Sequence, residues 1–260
     1  TDVAGTEGIS GCSHIFITVP SQALRNTAAE LAPHIADGQT VVVVPGGLFM
    51  PIAKEYWSHV NVLILEADTS PYAPRTTPAG EIDINGITNS IAIGTSQHTT
   101  KEQRDGIQYL IEAGLYWVLS IVIFLRRTGL PLHLGTIHHN PAALATPQLL
   151  YEGLLPAAEA SVLALDTDRM NVLAAVTQMP QYIVDSVFAI QVQQYGVIEG
   201  AATLAAHCRS TAAHNGIAAP LLRDLDYHRY MREDGLFNLP LLKETAEMVD
   251  VRVPKVDAVI

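Results

Sequence analysis

His14-Ile-Phe-Ile-Thr-Val-Pro20 and Thr40-Val-Val-Val-Val44 decide how this chain folds. Each is an unbroken apolar run closed by proline, the second by Pro45-Gly46-Gly47, and between them Leu24, Ala28, Leu31 and Ala32 recur at helical spacing from Ala23 to His34. Apolar strands alternating with a helix belong to parallel sheets covered on both faces. Val60 to Leu65 supplies a third such strand and runs into Glu66-Ala67-Asp68-Thr69-Ser70-Pro71. In open α/β sheets ligands gather beyond the carboxyl ends of strands, which makes the residues after Val19, Val44 and Leu65 positional candidates. Further on, Glu81-Ile82-Asp83-Ile84-Asn85-Gly86 alternates polar and apolar and Ile91-Ala92-Ile93 follows turn signals, which predicts an antiparallel hairpin closing the sheet. The glycine fingerprint that normally opens a dinucleotide-binding sheet, G-x-G-x-x-G after a first strand, occurs nowhere in the chain.

A chain of 260 residues with 48% hydrophobic content can bury a sizeable core in one or two domains. A net charge of −11 argues against a nucleic-acid partner, since such proteins present a clustered basic face. Cys12 and Cys208 lie in unrelated patterns, which suits reduced thiols and a cytoplasmic location. The N-terminal Thr1-Asp2-Val3 has neither an initiator Met nor the regions of a signal peptide, so the chain is expected to be a piece of a longer protein. The most apolar run, Leu115 to Leu125, is too short to span a membrane and reads as a buried helix.

From about Thr100 apolar residues recur at three and four, and prolines at 141, 147, 156, 180, 220 and 240 punctuate helices of ordinary length. The expected architecture is α/β plus all-α: the second half of a Rossmann-type parallel sheet over residues 1–99, then a helical domain over 100–260.

Three clusters could carry chemistry. Leu132-His133 through His138-His139-Asn140-Pro141 places three histidines in seven residues. No cysteine joins them and the spacing matches no common zinc pattern, so no metal is assigned. A general acid or base is the more economical role, with surface or helix-capping histidines as the bland alternative. Tyr227-His228-Arg229-Tyr230-Met231-Arg232-Glu233-Asp234-Gly235 offers an Arg able to grip a carboxylate and an Asp able to fix a histidine tautomer, or else a charged helix end whose members pair. Glu66 to Arg75 is a strand end followed by a polar loop.

Taken together and in order, these segments resemble the octopine/nopaline (opine) dehydrogenase family. Glu66-Ala-Asp-Thr-Ser-Pro-Tyr-Ala-Pro-Arg75 is similar to its E-T-x-T-x-P-Y-x-C-R segment. Tyr151-Glu152-Gly153 and Leu165-Asp-Thr-Asp-Arg169 are similar to its Y-x-E-G and D-x-E-R, and Asn215-Gly-Ile-Ala-Ala-Pro220 and Arg229-Tyr-Met-Arg-Glu-Asp234 to its G-I-A-x-P and R-Y-x-x-E-D. The resemblance implies a Rossmann domain followed by a helical one, with α-keto acid and amino acid substrates in the cleft between them. It implies reductive condensation of the two by NADH or NADPH, with Asp234 orienting a catalytic His, Arg229 holding a substrate carboxylate, Thr69 also contacting substrate, and Pro20, Pro45 and Gly46 on the cofactor side.

The family's catalytic His lies in an N-x-x-x-H-P segment, and His139 is the preferred match, with a register through Asn140 as the alternative. Because the glycine loop is missing, this chain alone is expected to bind cofactor weakly. The competing readings are a catalytically silent helical module for dimerisation or ligand binding, and another two-domain dehydrogenase of the ketopantoate reductase or β-hydroxyacid type. No Lys-x-x-x-Asn pair of the latter stands at the junction. No nucleic-acid or membrane partner is expected, and a homodimer is among the expectations.

Overall fold

The computed structural model describes residues 8–77, 79–95, 97–139, 145–178, 185–221, 223–224, 228 and 230–260. They form two compact units, one of residues up to 70 with 91–124, the other of 71–90 with 125–260.

The first unit is an α/β layer. It contains β1 (His14–Ile17), α1 (Leu24–Leu31), β2 (Thr40–Val43), α2 (Phe49–Trp57) and β3 (Leu63–Ala67). Between β3 and the rest of its sheet the chain makes β4 (Tyr72–Thr76) and β5 (Ile82–Ile87), which belong to the second unit; β6 (Ser90–Gly94), α3 (Lys101–Leu110) and β7 (Gly114–Val118) then return to the first. The sheet order is β1-β2-β3-β6-β7. β1, β2 and β3 are parallel, with His14 beside Thr40 and Thr40 beside Leu63, whereas β6 runs antiparallel to β3. Alternation along a strand explains the unbroken apolar runs. Val41 and Val43 pack with Leu24, Ala28, Phe49 and Trp57 on one face, while Val42 and Val44 pack with Leu65, Ile91, Ile93 and Ile107 on the other. Capping is explicit at α3, where Thr100 and Gln103 form a reciprocal capping box.

Two local expectations are corrected. β5 pairs with β4, not with the 91–93 strand, because β6 instead lies beside β3 and the ribbon β4–β5 forms its own two-stranded sheet. Leu115 to Leu125 is not one helix but the end of β7 followed by α4 (Ser120–Arg126). The close approach of α4 to β6 requires Gly94, since a Cβ there would meet Ile123 Cγ1 at 2.2 Å. The chain passes from the first unit to the second within α4, between Phe124 and Leu125. No helix among the described residues is long and apolar enough to cross a membrane.

The second unit is helical: α5 (Gly135–His139), α6 (Pro156–Thr177), α7 (Val187–Tyr195), α8 (Leu204–Ser210), α9 (Leu239–Met248) and α10 (Pro254–Val259). α6 is its axis. Pro156 opens it at the position where a missing N–H costs nothing, and Gln178 ends it in the left-handed region at φ 45°. α5 crosses α6 at Gly135, where a Cβ would stand 2.7 Å from Val162 Cα. α6 also buries charge. Arg169 donates to Asp166 Oδ1, Leu125 O and Asp185 O, and Asp166 Oδ2 accepts Val187 N at 2.7 Å. Asp168 Oδ2 accepts the N–H groups of Lys255 and Val256 at 2.7 and 3.0 Å, anchoring the start of α10. These bonds fix α6 against its neighbours, because a buried ion left without its partner is strongly destabilising.

Candidate functional site

Two π-helical segments face one another in the second unit, Leu130–Leu134 and Tyr230–Asn238. Proline accounts for the wider winding. Pro240 has no N–H to give the Leu236 carbonyl and its ring would strike that carbonyl in a regular helix; Pro131 stands in the same relation to Arg127. Such widened turns re-aim side chains and recur at functional sites.

Here they bring His133 and Asp234 together. Nδ1 of His133 lies 2.7 Å from Oδ2 of Asp234, while Oδ1 of Asp234 accepts the Asn238 amide at 3.0 Å. The Tyr230 ring stacks on the His133 ring at 3.8 Å and 25°. Arg127 Nη2 reaches Glu233 Oε1 at 2.6 Å and ties together the two stretches of chain that carry the pair. Gly129 closes the back of the site, since a Cβ there would stand 3.3 Å from His133 Cε1 and 3.6 Å from Asp234 Oδ1.

Burial of Asp234 alone would raise its pKa. That effect is outweighed by the hydrogen bond from His133, by the charges of His133 and Arg127 and by the bond from Asn238, which hold the carboxyl below its usual value. An ionised Asp234 accepts only, so at 2.7 Å the proton on the shared line belongs to Nδ1 of His133. The imidazole is thereby fixed in orientation, and its side chain remains 14% exposed.

The histidine expected beside Asp234 was His139, and the pairing is different: both oxygens of Asp234 are engaged by His133 and Asn238. His139 is exposed at the end of α5, with its ring edge-on to His138 at 5.1 Å. Arg229 and Asn140 lie outside the described residues. Thr69 is half-buried just beyond β3. Pro20 and Pro45 follow the carboxyl ends of β1 and β2, the side on which parallel sheets take ligands. Gly46 follows Pro45 and packs against β3. The space its Cβ would take is filled by Glu66 Cβ at 2.4 Å, so the missing side chain serves packing on β3. Among the described residues no group of three or more His, Cys, Asp or Glu side chains could hold a metal ion.

Sequence reasoning did not single out His214. It is buried, stacked on Tyr151 at 4.3 Å and edge-on to Tyr195 at 5.2 Å, with Nδ1 3.1 Å from the Cys208 carbonyl. Burial pushes its pKa down to about 4, against the opposing bond to Cys208. The available signal was its place between Tyr151-Glu-Gly153 and Asn215-Gly216, segments quoted for other reasons.

Comparison with known proteins gives the family. The model of the family "NAD/NADP octopine/nopaline dehydrogenase, alpha-helical domain" matches residues 120–260, more than half of the chain. "Protein ocs" of Agrobacterium tumefaciens (strain Ach5) is 26% identical over 97% of this chain and 70% of its own length. The opine dehydrogenase of Arthrobacter sp. (strain 1C) is 26% identical over 95% of this chain and 68% of its own. In fold, the structure of octopine dehydrogenase with NADH and L-arginine superposes with a TM-score of 0.77 at 18% identity, covering 98% of this chain and 69% of that one. With its Rossmann-like sheet and its helical second unit, the chain belongs to the octopine/nopaline dehydrogenase family.

Proposed function

We propose that the protein is an NAD(P)H-dependent oxidoreductase that condenses the amino group of an amino acid with an α-keto acid and reduces the product to an opine, with His133 and Asp234 as its acid–base pair. The observation that carries the reading is the 2.7 Å bond between His133 Nδ1 and Asp234 Oδ2, held on two facing π-helical segments. Support for the substrate classes comes from relatives: solved structures of octopine dehydrogenase hold NADH with L-arginine or with pyruvate.

Condensation of an amine with a ketone needs a proton for the departing hydroxyl, and the amine must lose a proton to attack. With Nδ1 committed to Asp234, Nε2 of His133 is the nitrogen left to exchange those protons. Asp234 stays ionised, keeps the tautomer and stabilises the imidazolium whenever His133 holds the extra proton. Tyr230 and Gly129 limit where the ring can turn. A reduced nicotinamide, when bound, supplies the hydride that converts the imine to a secondary amine. Pro20 and Pro45 are proposed on the cofactor side, Thr69 and Arg229 as substrate contacts.

The test is oxidation of NADH or NADPH by the full-length protein with pyruvate and a panel of amino acids, followed by mass spectrometry of the product. Oxidation that requires both substrates and yields an N-(carboxyalkyl) amino acid is expected. Oxidation with the keto acid alone, giving a hydroxy acid, would replace this reading by a ketoacid reductase.

A further inference from the structure

Asn238 is the last residue of the π-helical segment Tyr230–Asn238, and both it and Asp234 are buried, at 2% and 3% exposure. Side chains four apart on a helix are neighbours, and here Asn238 Nδ2 donates to Asp234 Oδ1 at 3.0 Å. Chemistry fixes the orientation of the amide, since turned over it would set its own oxygen against a carboxylate oxygen with no proton between them. In the orientation it holds, Asn238 Oδ1 is buried and no group among the described residues donates to it. A buried acceptor without a donor costs free energy, and an apolar side chain of similar shape would remove that cost. An asparagine at this place is therefore explained by its bond to Asp234 and not by packing. Burial opposes the ionised form of Asp234; the hydrogen bond from His133, the charges of His133 and Arg127 and the bond from Asn238 favour it, in that order. The charge of His133 vanishes when the imidazole is neutral, and that of Arg127 is offset by Glu233 at 2.6 Å. The Asn238 amide is neutral and acts in either state of His133. His214, within reach of the charge of His133, is kept neutral by burial first and by the charges of His133, His207 and Arg75 after it. On α9, which packs on the same segment, Lys243 is paired with Asp257, while Arg232, Glu244 and Glu247 are exposed.

We propose that Asn238 is a positioning residue of the acid–base pair: it holds Oδ1 of Asp234, so that the carboxylate stays ionised and keeps Oδ2 on His133 Nδ1 in both protonation states of the imidazole. The inference rests on the roles proposed above for His133 and Asp234. A carboxylate turns about its Cβ–Cγ bond, and a donor on one oxygen fixes where the other points. With Asn238 in place, neutral His133 carries its proton on Nδ1 and leaves Nε2 to take one from the reacting amine. Without it, Asp234 turns away or picks up a proton, the tautomer protonated at Nε2 becomes populated, and that nitrogen no longer acts as a base.

Asn238→Leu removes the donor at similar volume, and two readouts separate positioning from packing. Nitrogen NMR of the histidine-labelled full-length protein reports the tautomer without substrate, the His133 signals being identified by their loss in His133→Gln. Neutral wild type should show a protonated Nδ1 and a bare Nε2, and Asn238→Leu should show averaged nitrogens. In opine formation, kcat of Asn238→Leu should fall about ten- to a hundredfold, the range of one hydrogen bond to a charged group, with KM within about threefold of wild type. In Asn238→Asp two carboxyl groups about 3 Å apart share one proton, which restores a donor to Asp234. Its kcat relative to wild type should therefore be highest near about pH 6 and fall as the pH rises, whereas that of Asn238→Leu stays low throughout. A packing defect would not be recovered by protons. Should Asn238→Leu melt early, Asn238→Ala carries the same readouts. A tautomer unchanged in the apolar variant overturns the proposal, and so do kcat losses that are equal in the apolar and aspartate variants at every pH. A wild type that has the expected tautomer, loses it in Asn238→Leu and forms no opine upholds the positioning and removes the proposed reaction instead.

Discussion

Asp234→Asn keeps the shape of the site and removes its charge. Asp234 is 3% exposed and receives His133 at 2.7 Å and Asn238 at 3.0 Å. A hydrogen bond to a charged group contributes about 1.5–3 kcal/mol, and the asparagine oxygen can still accept from Asn238, so the substitution should cost about 2 kcal/mol at pH 7. Asp234→Ala should cost more, about 3–5 kcal/mol, because the imidazole donor and the Asn238 amide are both left without an acceptor. The pH dependence follows from the lowered pKa of Asp234. Its stabilisation is complete above the unfolded value near pH 4 and is lost as the pH falls through the lower folded value. Urea unfolding followed by far-ultraviolet circular dichroism is the suitable assay, since both tryptophans, Trp57 and Trp117, report on the first unit while the helices dominate the second. The gap between wild type and Asp234→Asn should hold from pH 7 to about pH 5 and close below pH 4. A cost under about 0.5 kcal/mol, within the range of ordinary surface substitutions, would refute the reasoning, as would a gap that ignores pH.

Two further outcomes are expected. Gly129→Ala adds a Cβ 3.3 Å from His133 Cε1 in a backbone with φ −57°, so it should leave stability unchanged or raise it by about 0.5–1 kcal/mol, while lowering turnover by displacing the ring. Calorimetry beside steady-state kinetics separates the two effects. His214, with its pKa near 4, should remain neutral down to about pH 5 in a histidine titration by NMR. The unfolded chain binds its proton near pH 6.5, so this residue withdraws stability as the pH falls from there toward 4, by up to about 3 kcal/mol, and His214→Phe should flatten that part of the stability–pH curve.

The parallel strands were legible because both of their faces are covered, which leaves an unbroken apolar signal at β1, β2 and β3. The helical second half was legible from its period. The ribbon was not assigned correctly: alternation in Glu81 to Gly86 says that one face differs from the other, but the strand that pairs with it and the unit to which it belongs depend on long-range packing against Ala213. The Leu115–Leu125 run failed for a related reason, since a short apolar stretch carries no period by which to tell strand from helix. Asp234 was legible as an acid in a charged cluster. Its partner was not, because the motif register pointed to His139 while the winding at Pro131 and Pro240 turns His133 toward Asp234. The histidine cluster thus contained the residue that pairs with Asp234, and the signal for that pairing lay in the prolines at 131 and 240 rather than in the motif register.

Turnover of His133→Gln and His139→Gln, side by side with the wild-type full-length protein, tests the central claim most directly. Loss of a positioned acid–base group costs about 10²- to 10⁴-fold. The account predicts a loss of that size in His133→Gln with a normal circular dichroism spectrum, and a change of less than about threefold in His139→Gln, whose exposed ring makes no bond to Asp234. The reverse pattern, or equal activity in both variants, would contradict it.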